Sequence, residues 1–142
     1  MTVPTYKLLE VRSFPFADLY LVEGQHTFVC ISTKEYIPYA DFQEMFREIG
    51  KEVIKRKITK FVFDKTSLRN FHQPSMEWYT VGWKSAMKDH GLSVYRKILP
   101  RLEWFEDAVR NGRAQIMRDY PDFDFSQFDI QYRHALEHAI LH

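Results

Sequence analysis

Cysteine is nearly absent from this chain: Cys30 is the only one in 142 residues. An intrachain disulfide needs two, so none braces the fold, and a reducing compartment fits. Glycine and proline are sparse, five and six residues, which excludes collagen-like and linker-type architectures. No stretch approaches the ~20 apolar residues that cross a membrane. The opening MTVPTYKLLE lacks the charged-then-apolar pattern of a secretory signal. Charge of one sign is also lacking. Twenty Lys and Arg against nineteen Asp and Glu leave a net charge of +1, without the broad basic field that nucleic acid requires. A cytoplasmic protein is expected, with neither membrane nor nucleic acid as a partner. There is no Gly-rich phosphate loop, nucleophile elbow, HExxH or CxxC. The expectation is therefore a protein that is not an enzyme and needs no cofactor.

What is present is a balanced globular composition: 45% hydrophobic, 27% charged, and an unusually high 16% aromatic. One domain over residues 1–142 is expected, long enough to bury a core rich in aromatic rings. Residues 6–12, 19–23 and 26–32 read as three strands. Pro15 breaks the ladder after the first, and Gly24-Gln25 turns the chain after the second. Residues 38–57 read as a helix, with Phe42, Met45, Phe46, Ile49 and Val53 at core spacing. Residues 60–64 form a short apolar strand of the kind covered on both faces.

A second helix is expected over 75–90, with Met76, Tyr79, Trp83, Ala86, Met87 and His90 on its inner stripe and Gly91 as its left-handed cap. A strand over 94–99, a helix over 102–119, a strand near 125–129 and a terminal helix over 130–141 complete the chain. Asn111-Gly112 is a turn dipeptide and a candidate break in the third helix. The pattern predicts an α/β fold: an N-terminal antiparallel meander leading into a mixed β-sheet covered by about four helices.

Several segments in order carry a family resemblance: FVFDKTSLRNF, PSMEWYTVGWKSAMKDHGLSVYRKILP, EWFEDAVRNGRAQIM and FDIQYRHALEHAIL. Asp64 ends a strand, Trp78 lies near a helix start, Gly91 precedes a strand ending at Pro100, and Phe128-Asp129 precedes Ala135-Leu136-Glu137. Over residues 60–141 this order resembles STAS-like bacterial proteins related to the spore-formation anti-anti-sigma factor. It looks most like the small STAS-like proteins common in Bacteroidetes-type genomes. The resemblance implies a non-enzymatic regulatory or protein-interaction module. It implies a kinase-like or sigma-related protein partner, and a homodimer is compatible with it. It also implies that Ser75, at the start of the helix after the central strand, is a phosphorylation or partner site. The relatives' Asp-Ser-Ser/Thr-Gly signature reads His72-Gln73-Pro74-Ser75 here.

Each candidate has an ordinary structural reading beside the functional one. Ser75 serves equally as a helix N-cap. Asp64, Lys65, Thr66, Ser67, Arg69, Asn70 and His72 form a polar lip at a strand end, placed to hold a partner or an anionic ligand. The same residues can bond their own loop backbone. Trp78 and Trp83 line an apolar pocket or belong to the core. The alternative function is accordingly a protein that binds a small apolar or anionic molecule. His134, His138 and His142 share a helical spacing, but no further ligand accompanies them and no metal site is expected. The basic group at Lys51, Lys55, Arg56, Lys57 and Lys60 reads as a solvated helix end. Cys30 reads as a buried, inert thiol.

Overall fold

A computed structural model of the chain describes residues 6–142. Three strands come first: β1 (Leu8–Ser13), β2 (Ala17–Val22) and β3 (Thr27–Ser32). They pair antiparallel as a meander. Phe14 N–H bonds to the Ala17 carbonyl across the first turn. Gly24, at φ 76°, makes the second turn possible.

Helix α1 (Tyr39–Arg56) comes next, and its expected stripe is its buried face, joined there by Gly50. Lys57 closes it in the left-handed region at φ 55°. Strand β4 (Lys60–Asp64) has Phe61, Val62 and Phe63 fully buried. A continuous helix then changes register twice. It is α-helical at α2 (Gln73–Glu77), π-helical at Trp78–Trp83, and α-helical again at α3 (Lys84–Lys88). Gly91, at φ 96°, ends it as expected.

Strand β5 (Val94–Ile98) leads to α4 (Glu103–Asp119). This helix does not break at Asn111-Gly112. Gly112 is instead a point of close approach: a Cβ there would stand 2.9 Å from Phe71 Cζ and from Met76 Sδ. The Gln73 side-chain amide donates to the Gly112 carbonyl at 3.1 Å.

The C-terminal segment departs from the expected boundaries. Asp124 accepts from Ser126 N–H at 2.9 Å and nucleates a 3-10 turn at Phe125–Gln127. The last strand therefore starts later, as β6 (Asp129–Tyr132), and α5 is only Leu136–Leu141. Ile130, expected in a helix, lies in β6 because Val94–Lys97 of β5 offers a parallel edge to Asp129–Tyr132.

The six strands lie in chain order, β1 to β6, antiparallel through β3 and parallel from β3 onward. This is the α/β fold with an antiparallel start and a mixed sheet that the sequence implied. The successive parallel crossovers all advance the same way, so their helices share one face. Phe28, Cys30, Phe61, Phe63 and Tyr95 point toward that face and pack with Phe46, Tyr79 and Trp83. Val22, Val29, Val62 and Ile98 point the other way and meet Ala139 and Ile140 of α5. Among the described residues, no helix is long and apolar enough to cross a membrane.

Candidate functional site

The sheet has no point at which its strand order reverses, so topology alone opens no crevice. A cleft arises instead because α2 starts late. Eight loop residues, 65–72, separate β4 from it. They are pinned by Lys65 N–H to the Ile98 carbonyl, Arg69 N–H to the Glu35 carbonyl, and Ser67 Oγ to the Lys34 carbonyl, each at 2.8 Å. Beneath this loop lies a cleft of about 70 Å³. Asn70, His72 and Ser75 stand at its rim, and Lys65, Tyr79 and Lys97 line it within.

The lip expected from sequence therefore divides. Asn70, His72 and Ser75 reach the cleft. Asp64 does not: its Oδ1 accepts from Thr66 N–H at 2.9 Å and shapes the loop. Arg69 does not either, because its guanidinium is spent on the Thr66 and Leu68 carbonyls, both at 2.8 Å.

The helix cap is also not the expected one. His72, not Ser75, caps α2, and its Nδ1 accepts from Ser75 N–H at 3.2 Å. The Ser75 hydroxyl lies 2.8 Å from the same nitrogen. A nitrogen that accepts the backbone N–H carries no proton, so the hydroxyl donates to it and the ring proton sits on Nε2.

Trp83 belongs to the core. It is 5% exposed, and its Nε1–H donates to the Phe46 carbonyl at 2.7 Å. Trp78 is partly buried against the same core, with its ring 6.1 Å from that of Phe42. Neither tryptophan lines the cleft. His134 precedes α5, so it does not share a helix face with His138 and His142. Among the described residues, no group of three or more His, Cys, Asp or Glu could hold a metal ion. Burial pushes the Cys30 thiol far up, which leaves it protonated and inert.

The residues that sequence reasoning overlooked are two lysines, Lys84 and Lys97. Lys84 is fully buried and Lys97 is 4% exposed. Lys84 Nζ lies 4.8 Å from the Tyr79 ring centre and 4.6 Å from that of Tyr95. Lys97 Nζ lies 5.6 Å, and Lys65 Nζ 5.8 Å, from the Tyr79 ring centre. Three amines thus surround one phenol ring. Among the described residues, no carboxylate pairs with any of them. No Asp or Glu lines the cleft.

The aromatic rings supply a counter-interaction through their negative faces. Lys84 Nζ, Thr80 Oγ1 and the Tyr79 and Tyr95 hydroxyls are buried with no hydrogen-bond partner among the described residues. Burial lowers the proton affinity of all three amines; repulsion adds to it at Lys65 and Lys97, while at Lys84 the contact with Lys97 works the other way and Lys65 and Arg113 lower it further. Lys84 is brought down to about 7. Burial raises the Tyr79 phenol well above its ordinary value, so it stays neutral.

Arg96 provides the contrast on the opposite face of the same strand. It too is nearly buried, yet it bonds Asp129 Oδ2 and the Asp129 carbonyl at 3.0 Å, the Tyr95 carbonyl at 2.9 Å and the His142 carbonyl at 3.0 Å. That is how a structural buried cation is satisfied. The lysines are not satisfied in this way. Arg113 of α4 also depresses Lys84 and Lys97, and it borders a second hollow of about 300 Å³ lined by Arg110 and Arg133 together with Glu106.

The π-helical segment helps explain why Lys84 is inside. A π turn inserts an extra residue into the helical repeat and advances the phase of every residue after it. Ala86 and His90, expected on the inner stripe, are exposed, while Thr80 and Lys84 are buried.

Comparison with protein-family models, curated proteins and solved structures finds no match to this chain.

Proposed function

We propose that the chain is a small-molecule-binding protein whose cleft takes a small anion, a carboxylate or a phosphate. The observation that carries this reading is a pair of amines, Lys97 buried and Lys65 partly buried, lining a cleft without a carboxylate. Burying unpaired cationic groups costs several kcal/mol, roughly, and an anion entering the cleft would offset that cost. The Asn70 amide and Ser75 hydroxyl at the rim add neutral hydrogen-bonding capacity. Phe63, Leu68 and Phe105 supply apolar walls. The small volume favours a ligand of a few heavy atoms.

Calorimetric titration with inorganic phosphate and with short carboxylates at pH 7 tests the reading. Saturable binding that Lys65→Met abolishes supports it. Absence of binding for the whole panel counts against it.

A second reading comes from the sequence resemblance: a non-enzymatic regulatory module of the cytoplasm. Ser75 would be its modification site, with a kinase-like or sigma-related protein, or a second copy of the chain, as partner. The observation favouring it is that Ser75 is only half-buried, in the first turn of α2. A phosphate there would have Lys65 and Lys97 in the same cleft as counter-charges. Mass spectrometry of the protein recovered from its own cells tests this at Ser75.

A further inference from the structure

An anion site needs a cation, and Lys65, the more exposed of the two amines that line the cleft, fills that role. Lys97 is placed for something else. It lies deeper, on β5, lines the cleft, and is almost fully buried. The charged and titratable groups around it come from every neighbouring element. They are Lys65 from the loop after β4, Tyr79 from the π-helical segment, Lys84 from α3 and Arg113 from α4, with the neutral Cys30 thiol of β3 beyond Lys65. None of these is an anion. Amines crowded in this way cannot all hold protons, and Lys97 has cationic neighbours on several sides. A neutral primary amine beside a bound anion is placed to attack a carbonyl that the anion carries.

We propose that Lys97 Nζ forms a reversible imine with a small 2-oxo acid whose carboxylate is held by Lys65. The amine lone pair adds to the carbonyl carbon, and the C=O π bond becomes a hydroxyl. That hydroxyl then leaves as water as the C=N bond forms. The two hydrogens of the amine depart in the water, so no oxidant or reductant is needed. Covalent holding of this kind requires no turnover.

The inference rests on the cleft being an anion site, and its test separates the two. The full chain is incubated with glyoxylate as the probe, and sodium cyanoborohydride traps any imine as a stable secondary amine for peptide mapping. Lys97 is expected to be labelled about tenfold faster than exposed lysines at pH 7, as an activated amine should be. Inorganic phosphate is expected to suppress that labelling and leave the exposed lysines unchanged. Lys97→Arg keeps the charge and removes the nucleophile, so the saturable label should vanish. The phosphate competition needs no variant, so it stands even if Lys97→Arg fails to fold. Labelling that only tracks exposure, or that falls on Lys84 instead, overturns the assignment. If phosphate binds but Lys97 stays unlabelled, the imine is refuted and the anion site survives. If neither occurs, both fall.

Discussion

Lys97 Nζ stands 5.6 Å from the centre of the Tyr79 ring, in a cleft that contains no carboxylate. Lys84 approaches the same ring to 4.8 Å. A fold that places these amines around one neutral phenol gives up stability at that point. The consequences for pH and for ligand binding can be measured.

Lys84 is the first case. Its proton is lost at about 7 in the folded protein, against 10.5 in a free chain, chiefly because burial penalises the ammonium. Between those values the unfolded chain binds a proton that the native state lacks, so stability rises with pH from about 7 upward. Lys65 and Lys97, lowered for the same reason, act in the same direction. Near pH 10 the sign turns. Burial holds Tyr79 and Tyr95 protonated above their ordinary 10.0, so the unfolded phenols ionise first and stability falls. Urea unfolding across pH 6 to 11 should therefore give a maximum on the alkaline side, roughly pH 9 to 10. Lys84→Met should flatten the rise and stabilise the protein at pH 7 by about 2–4 kcal/mol. A wild-type profile flat from pH 7 to 9 would contradict this.

Gly112 is expected to be intolerant of any side chain. A Cβ there would meet Gln73 Oε1 at 2.5 Å as well as the Phe71 ring and Met76 sulfur. The Gln73 end can swing away, but the ring and sulfur are packed between α2 and α4. Gly112→Ala should cost about 1–3 kcal/mol despite its better helix propensity, because overpacking outweighs it. Denaturant midpoints check this. Because Phe71 and Met76 also line the cleft, the same variant should weaken anion binding.

Trp83 ties α1 to the π-helical segment through its 2.7 Å bond to the Phe46 carbonyl. Trp83→Phe keeps an aromatic ring but removes the donor. A loss of about 1–3 kcal/mol is expected in chemical unfolding, since the bond is buried. A neutral result would show that the carbonyl is satisfied within α1 alone.

Much of this architecture is legible in the residue pattern. The Phe42–Met45–Phe46–Ile49–Val53 stripe of α1 and the apolar run of β4 come directly from helical and strand periodicity. Gly24 and Gly91 mark positive-φ positions that few other residues tolerate. The C-terminal strand starts later than its pattern suggests because Asp124-Phe125-Ser126 has a capping signature that competes with β-structure. The rim residues Asn70, His72 and Ser75 are legible as a polar lip. Lys65 belongs to that lip too; Lys84 is not legible, because lysine in an amphipathic helix ordinarily faces water. A π-helical phase change cannot be seen in a 3.6-residue repeat. One signal does exist: Arg96 and Lys97 lie in the middle of β5, a strand due to be covered on both faces. Two adjacent cations there must both be buried, one on each side of the sheet.

The most direct test is a two-dimensional amide NMR titration with inorganic phosphate at pH 7, comparing wild type with Lys65→Met and Lys97→Met. An anion site in the cleft predicts saturable shifts confined to residues 65–75, Tyr79 and Lys97, lost in Lys65→Met. Shifts spread over exposed lysines, or shifts that persist unchanged in Lys65→Met, would contradict it.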